Sequence, residues 1–337
     1  MKLSIETLRK ICLGAVEVEE NENGISFYRF TKKQRDLYFE RQLSFYKKAL
    51  STSGVKLRFR TDSNYLGIKG VVSGGSSRKY FSFDLFINGE KKESFDNFSD
   101  VTDQPSPKGE YPLGSIEKMF DLGDGEKEVL LYFPWSAQVA FSEITVSDGA
   151  FLDPVKPEKK MLVFGDSITQ GYDAAFASNS YISRLSRFLG VEEYNKAIGG
   201  EVFWPGLADT EEPFEPDLIT VAYGTNDWSK MGSLEEFQAN SKGFFETLGR
   251  RFPNVPIFAI SPIWRSSYQA EKPCGDFRNI HNFFVEVAKN IPNMIVIDGW
   301  NFVPHDPDYF ADKTLHPNDA GFAFYADALY NELKKFL

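Results

Sequence analysis

Cysteine is scarce in this chain. Two in 337 residues, Cys12 and Cys274, rule out a disulfide framework, and neither has the neighbours of a metal-ligand set. They read as buried free thiols, which suits a reducing compartment. Histidine is scarcer still for any chemistry that needs a base: His281, His305 and His316 are the whole supply. No window is apolar for long enough to span a bilayer. The opening MKLSIETLRKICLGAVEVEE is interrupted by Glu6, Arg9 and Lys10 and ends in acids, so it does not read as a signal peptide. The sequence therefore predicts a cytoplasmic protein, with an exported protein lacking its leader as the alternative. Positive charge is also short, at 38 Lys and Arg against 48 Asp and Glu, a formal net charge of -10. Such a surface repels phosphate backbones and anionic membranes, which argues against nucleic acid and membrane as main partners.

What is present is enough for two ordinary cores. Hydrophobic residues are 42% and aromatics 15%, a supply that suits sandwich interiors and sugar-stacking surfaces alike. Residues 1–155 read as β-rich. Val55–Thr61 alternates, with Val55, Leu57 and Phe59 on one face. Tyr80–Ile87 runs into Asn88-Gly89, a hairpin signal, and Glu128–Phe133 follows Asp124-Gly125 in the same manner. Ala140–Val146 is a further strand, while Lys32–Leu50 fits helix by its charges and strand by its aromatics. Short strands between Gly, Asn and Asp turns predict a β-sandwich. Asp153–Lys160, with two prolines and three lysines, reads as a linker.

From residue 156 to 337 the pattern changes. Strands at Met161–Phe164, Tyr194–Ile198, Leu218–Tyr223, Pro256–Ile260 and Met294–Ile297 alternate with helical stretches, among them Tyr181–Leu189 and a helix opening at Ser233. This alternation predicts an α/β domain with a parallel sheet covered on both faces. Ligands bind outside the carboxyl ends of such strands, where Ser167, Gly199-Gly200 and Gly224-Thr225-Asn226-Asp227 fall. A serine needs a base and oxyanion donors before it is a nucleophile. The N–H of Ser167, the N–H of Gly200 and the side-chain amide of Asn226 would serve as donors. Taken singly, each has a plainer explanation as a helix cap, a strand-ending glycine or a turn residue. His281 lies in a helical stretch and reads as structural, and His305 is a minor candidate. His316 stands before the last helix, with Pro317 suited to a helix start and Asp312 placed to orient the imidazole.

Four blocks in order, Gly165-Asp-Ser-Ile-Thr-Gln-Gly171, Asn195-Lys-Ala-Ile-Gly-Gly200, Gly224-Thr-Asn-Asp227 and Asp312…His316-Pro-Asn318, resemble the SGNH (GDSL-type) hydrolase superfamily. The resemblance covers about Lys160–Leu337. It implies a flavodoxin-like three-layer α/β/α domain and ester hydrolysis without a metal or other cofactor. It also implies Ser167 as nucleophile, His316 as base, and Ser167, Gly200 and Asn226 as the oxyanion hole. The sequence departs from the family pattern in one respect. Asp312 stands four residues before His316 and Lys313 occupies the usual acid position, so either the loop absorbs one extra residue or a backbone carbonyl orients the histidine. Asp298, Asp306 and Asp308 are weaker substitutes. The two-domain plan, with a jelly-roll-like sandwich first, is similar to the second family of carbohydrate esterases. That similarity implies a small-molecule or oligosaccharide ester as substrate and loss of a short acyl group, acetate foremost. Trp204, Trp228 and Trp264 follow strand ends, where they either face a sugar or pack the loops. A lipase or lysophospholipase is the rival enzyme, and an inactive carbohydrate-binding or scaffold protein the rival of another class.

Overall fold

Alternating apolar residues build the first unit around a layer of phenylalanine rings. In the computed structural model, which describes residues 1–337, this unit comprises Met1–Glu158 with two short returns of the chain, Ala175–Asn179 and Glu192–Tyr194. Its strands are β1 (Cys12–Leu13), β2 (Glu17–Asn21), β3 (Gly24–Tyr28), β4 (Lys56–Thr61), β5 (Tyr65–Gly74), β6 (Ser82–Ile87), β7 (Glu90–Asp96), β8 (Gly114–Asp121), β9 (Lys127–Tyr132), β10 (Ala137–Val146) and β11 (Asp153–Pro154). One antiparallel sheet runs β1-β4-β9-β6-β7 with β11 beside β4, and the other β2-β3-β10-β5-β8. Their inner faces meet through Phe27, Phe83, Phe133 and Phe141, whose ring centroids are 5.0–6.1 Å apart. Deleting one such buried ring costs about 3–5 kcal/mol.

The Asn88-Gly89 turn joins β6 to β7 as a hairpin, and both residues take positive φ, 51° and 84°, as a two-residue hairpin loop with a type I′ turn requires. Asp124-Gly125 does not do the same. It carries the chain from β8 in one sheet to β9 in the other, with Asp121 accepting from Gly123 N at 2.9 Å and Leu122 N bonded to Asn64 O at 2.9 Å. The Lys32–Leu50 stretch is helical. After α1 (Ile5–Ile11) it forms α2 (Lys32–Arg41) and α3 (Leu43–Ala49), the first opened by a reciprocal Thr31–Gln34 capping box.

The second unit comprises Lys159–Ala174, Ser180–Val191 and Asn195–Leu337. Strands β12 (Lys160–Gly165), β13 (Glu192–Asn195), β14 (Leu218–Ala222), β15 (Ile257–Ile260) and β16 (Met294–Ile297) form a sheet ordered β13-β12-β14-β15-β16. β12, β14, β15 and β16 pair in parallel. The regular strand β13 stops at Asn195, short of the predicted end at Ile198, where Asn195 Oδ1 takes the Ala197 N–H at 2.9 Å. Lys196 N and Ile198 N still bond to Val163 O and Gly165 O of β12, at 2.7 and 3.1 Å. The helices are α4 (Ser167–Gln170), α5 (Tyr181–Leu189), α6 (Pro205–Ala208), α7 (Thr225–Lys230), α8 (Leu234–Arg251), α9 (Asn279–Ala288) and α10 (Asp319–Leu333). α5 packs with α10 through stacked Tyr181 and Tyr325 rings, 4.0 Å apart. α8 packs with α9 through Phe245 and Phe284. No helix is long and apolar enough to cross a membrane.

Candidate active site

The four apolar residues Met161–Phe164 bury β12 and bring the chain to Gly165, where a Cβ would lie 2.2 Å from Thr169 Oγ1. Only glycine lets α4 turn back so tightly. Asp166 caps that helix by accepting from Ile168 N at 3.0 Å, and Ser167 opens it. The Ser167 Oγ is 2.8 Å from Nε2 of His316, and Nδ1 of His316 is 2.7 Å from Oδ2 of Asp312. Hydroxyl, imidazole and carboxylate thus form one continuous hydrogen-bonded line.

The extra residue between acid and histidine is absorbed at Lys313, whose φ of 61° is in the left-handed region. This tight turn folds Asp312 back under the loop it begins. Oδ1 accepts the backbone N–H groups of Thr314, Leu315 and His316 at 2.9, 2.7 and 3.1 Å. Burial pushes the Asp312 carboxyl up. The imidazole and those N–H groups outweigh it and hold the acid well below the usual carboxylate range. Asp298, Asp306 and Asp308 are occupied elsewhere, with Ser261 and Arg278, with Asp308 N, and with Lys313. Pro317 is not the first helical residue. Its backbone bridges to Phe310, and Asn318 caps α10 by accepting from Gly321 N at 3.0 Å. Tyr172 stacks on the His316 ring, with centroids 5.7 Å apart.

The donor loops are tied to one another. Gly199 N donates to Gln170 Oε1 of α4 at 2.7 Å, and Asn195 Nδ2 donates to Thr169 O at 3.0 Å. Gly200 takes φ 87°, which favours glycine. Its carbonyl accepts from Lys230 Nζ at 2.7 Å. The Ser167 and Gly200 N–H groups enter no backbone bond of the fold. Asn226 gives one amide proton to Glu201 O at 3.1 Å and retains the second. Asp227 fastens both loops, since its two carboxylate oxygens accept Phe203 N at 2.8 Å and Gly224 N at 3.0 Å. Burial pushes the Asp166 and Asp227 carboxyls up, to about 6 and about 7, against those N–H bonds.

The tryptophans divide. Trp228 is not a sugar-facing residue: it is fully buried, its indole N–H donates to Gly275 O at 2.8 Å, and Phe277 packs on its ring. Trp264 is nearly buried and stacks on His305, with centroids 5.5 Å apart. Trp204, just before α6, stays half-exposed. His305 bonds to Trp300 O at 3.0 Å, away from Ser167, and His281 lies in α9. Two residues that sequence reasoning passed over belong to the site. Arg265 donates to Thr225 O and Oγ1, both at 3.1 Å, while its neighbour Ser266 N bonds to Thr314 O at 3.0 Å, so this loop links α7 to the histidine loop. The other is Asp173, with Oδ2 3.5 Å from His316 Nδ1. The Gly171–Asp173 turn signal after the serine block was the available hint.

Residues 163–324 match the GDSL-like Lipase/Acylhydrolase family. The fold of the chain, antiparallel β sheets followed by an α/β unit with a parallel sheet, is shared by solved structures along nearly its whole length. A salicylyl-acyltransferase, SsfX3, from a tetracycline biosynthetic pathway is similar at 23% identity and TM-score 0.79, over 96% of this chain and 94% of that one. A GDSL-like lipase structure from Bacteroides ovatus is similar at 21% and 0.77, over 99% and 97%. A family two carbohydrate esterase from Clostridium thermocellum, solved with cellohexaose, is similar at 14% and 0.64, over 96% and 98%. No curated protein sequence matches the chain.

Proposed function

We propose that the protein is a serine esterase that removes a short acyl group, acetate foremost, from acylated carbohydrates. The Ser167–His316–Asp312 line of hydrogen bonds carries this reading. His316 Nε2 takes the Ser167 proton as Oγ attacks the ester carbonyl. The Ser167 and Gly200 N–H groups and the Asn226 amide receive the oxyanion. His316 then protonates the leaving alcohol, and water activated by the same imidazole releases the acid. The likeness in fold to a carbohydrate esterase solved with cellohexaose supports a sugar as the alcohol.

A transferase reading draws on the likeness to a salicylyl-acyltransferase. In it the acyl-enzyme passes to an alcohol rather than to water. One experiment separates the readings. Acetate release is measured from a panel of acetylated oligosaccharides, with and without a competing alcohol, for the wild type and Ser167→Ala. Turnover that survives in Ser167→Ala overturns the nucleophile. Long-chain esters preferred over acetates would favour a lipase, and partition to the alcohol a transferase.

A further inference from the structure

Three observations meet at Asp173. Its side chain is wholly buried. Its backbone has φ 71°, a left-handed conformation uncommon outside glycine. Its Oδ2 lies 3.5 Å from Nδ1 of His316, the nitrogen that Asp312 holds at 2.7 Å. A buried carboxylate on strained backbone persists only where its surroundings over-determine it, and such residues cluster at working sites. Gly171, at φ 108°, and Asp173 bracket Tyr172, whose ring lies on the face of the imidazole. One turn therefore sets an aromatic ring against the face of His316 and a carboxylate against its edge.

We propose that Asp173 is a second acid for His316, a positioning residue that stabilises the imidazolium alongside Asp312. The 3.5 Å separation is an ion-pair distance rather than a second short hydrogen bond. Its effect is therefore greatest when the ring carries its charge, after the proton has left Ser167. The proposal rests on His316 being the base, which the loss of turnover in His316→Ala tests separately.

The charged and titratable groups around the imidazole are few. Asp312 and Asp173 face Nδ1, and Ser167 faces Nε2. The charge of Asp166 acts on His316, and that of Arg265 acts on Asp312. Removing the Asp173 charge leaves the others in place. Asn tolerates the left-handed backbone and is isosteric, and Gly adopts it freely, so Asp173→Asn and Asp173→Gly both keep the turn.

The test is the pH profile of kcat/KM, with kcat and KM measured separately. Both variants are expected to lower kcat about tenfold with KM held, and to move the acid limb toward lower pH by about one unit. A purely structural residue would lower thermal stability and leave the limb where it is. An unmoved acid limb in both variants, while His316→Ala is inactive, overturns the second-acid role and leaves the esterase reading intact.

Discussion

The carboxylates on the two sides of Ser167 are tuned in opposite directions. On the histidine side, Asp312 is partly exposed, meets an imidazole and three N–H groups, and is held ionised. On the donor side, Asp166 and Asp227 are buried, and desolvation lifts them to about 6 and about 7 although Asp227 accepts two well-formed N–H bonds. The difference shows which effect wins. Complete burial dominates at Asp166 and Asp227, while at the less buried Asp312 a direct imidazole hydrogen bond, together with backbone N–H groups, reverses it. The histidine side thereby keeps a negative charge beside the imidazole. The donor side uses its acids as braces that hold loops in place.

The largest way to break this contrast is to remove the charge of Asp312 without moving the loop. In Asp312→Asn the three backbone N–H groups on Oδ1 dictate which end of the amide stays there. The carbonyl oxygen must remain, so the amide NH2 turns to Nδ1 of His316. That holds the imidazole in the tautomer protonated at Nε2, which cannot accept the Ser167 proton. The expected loss in kcat near neutral pH is about 10⁴, the scale of the same substitution in the serine-protease template. A loss below roughly tenfold would show that the acid is dispensable and that Ser167 and His316 work as a dyad.

On the donor side the effect is smaller. Asn226→Ala removes one side-chain donor and leaves the two backbone N–H groups. A fall in kcat of roughly 10²–10³ with little change in KM is expected. Unchanged kcat would take Asn226 out of the oxyanion hole and leave its bond to Glu201 O as its only task.

Particular residues show how much of this was legible beforehand. The sandwich and parallel-sheet strands follow from alternation and apolar runs, because burial on one face or both leaves a pattern in the chain itself. Asp124-Gly125 looked like a hairpin because a turn dipeptide gives the local reversal but not the sheet the next strand joins. Lys32–Leu50 was ambiguous for a related reason: side chains that suit either period leave the choice to caps such as Thr31 with Gln34. Block spacing brought Ser167, Asp312 and His316 to notice, and the fold sets them in one hydrogen-bonded line. Trp228 stayed open between facing a sugar and packing a loop because its partner Gly275 lies far along the chain, and nothing local signals that burial. Asp173 went unseen because the Gly171–Asp173 turn signal marks a reversal of the chain but not which side chain it sets against His316.

The smallest effect expected is on stability, and it tests the sign of the donor-side shift. Burial pushes the Asp227 carboxyl up to about 7 in the folded protein, against its two N–H bonds, whereas an unfolded aspartate ionises near pH 4. Between those values the folded state binds more protons, so the stability this group contributes falls as pH rises through the window. Asp312, shifted the other way, contributes stability above the unfolded value and loses it as the solution becomes acid. In Asp227→Asn the titrating group is gone. One N–H bond weakens, because an amide oxygen can serve Phe203 N while the amide NH2 cannot accept from Gly224 N. The variant is therefore less stable than the wild type at pH 5. The deficit should shrink by on the order of 2 kcal/mol by pH 8, as the wild type has to ionise a buried carboxyl there. Urea unfolding of both proteins at several pH values from 5 to 8 reads this directly as a difference in free energy. Parallel curves would mean that the two N–H bonds keep Asp227 ionised throughout, and that donor and histidine sides are tuned alike.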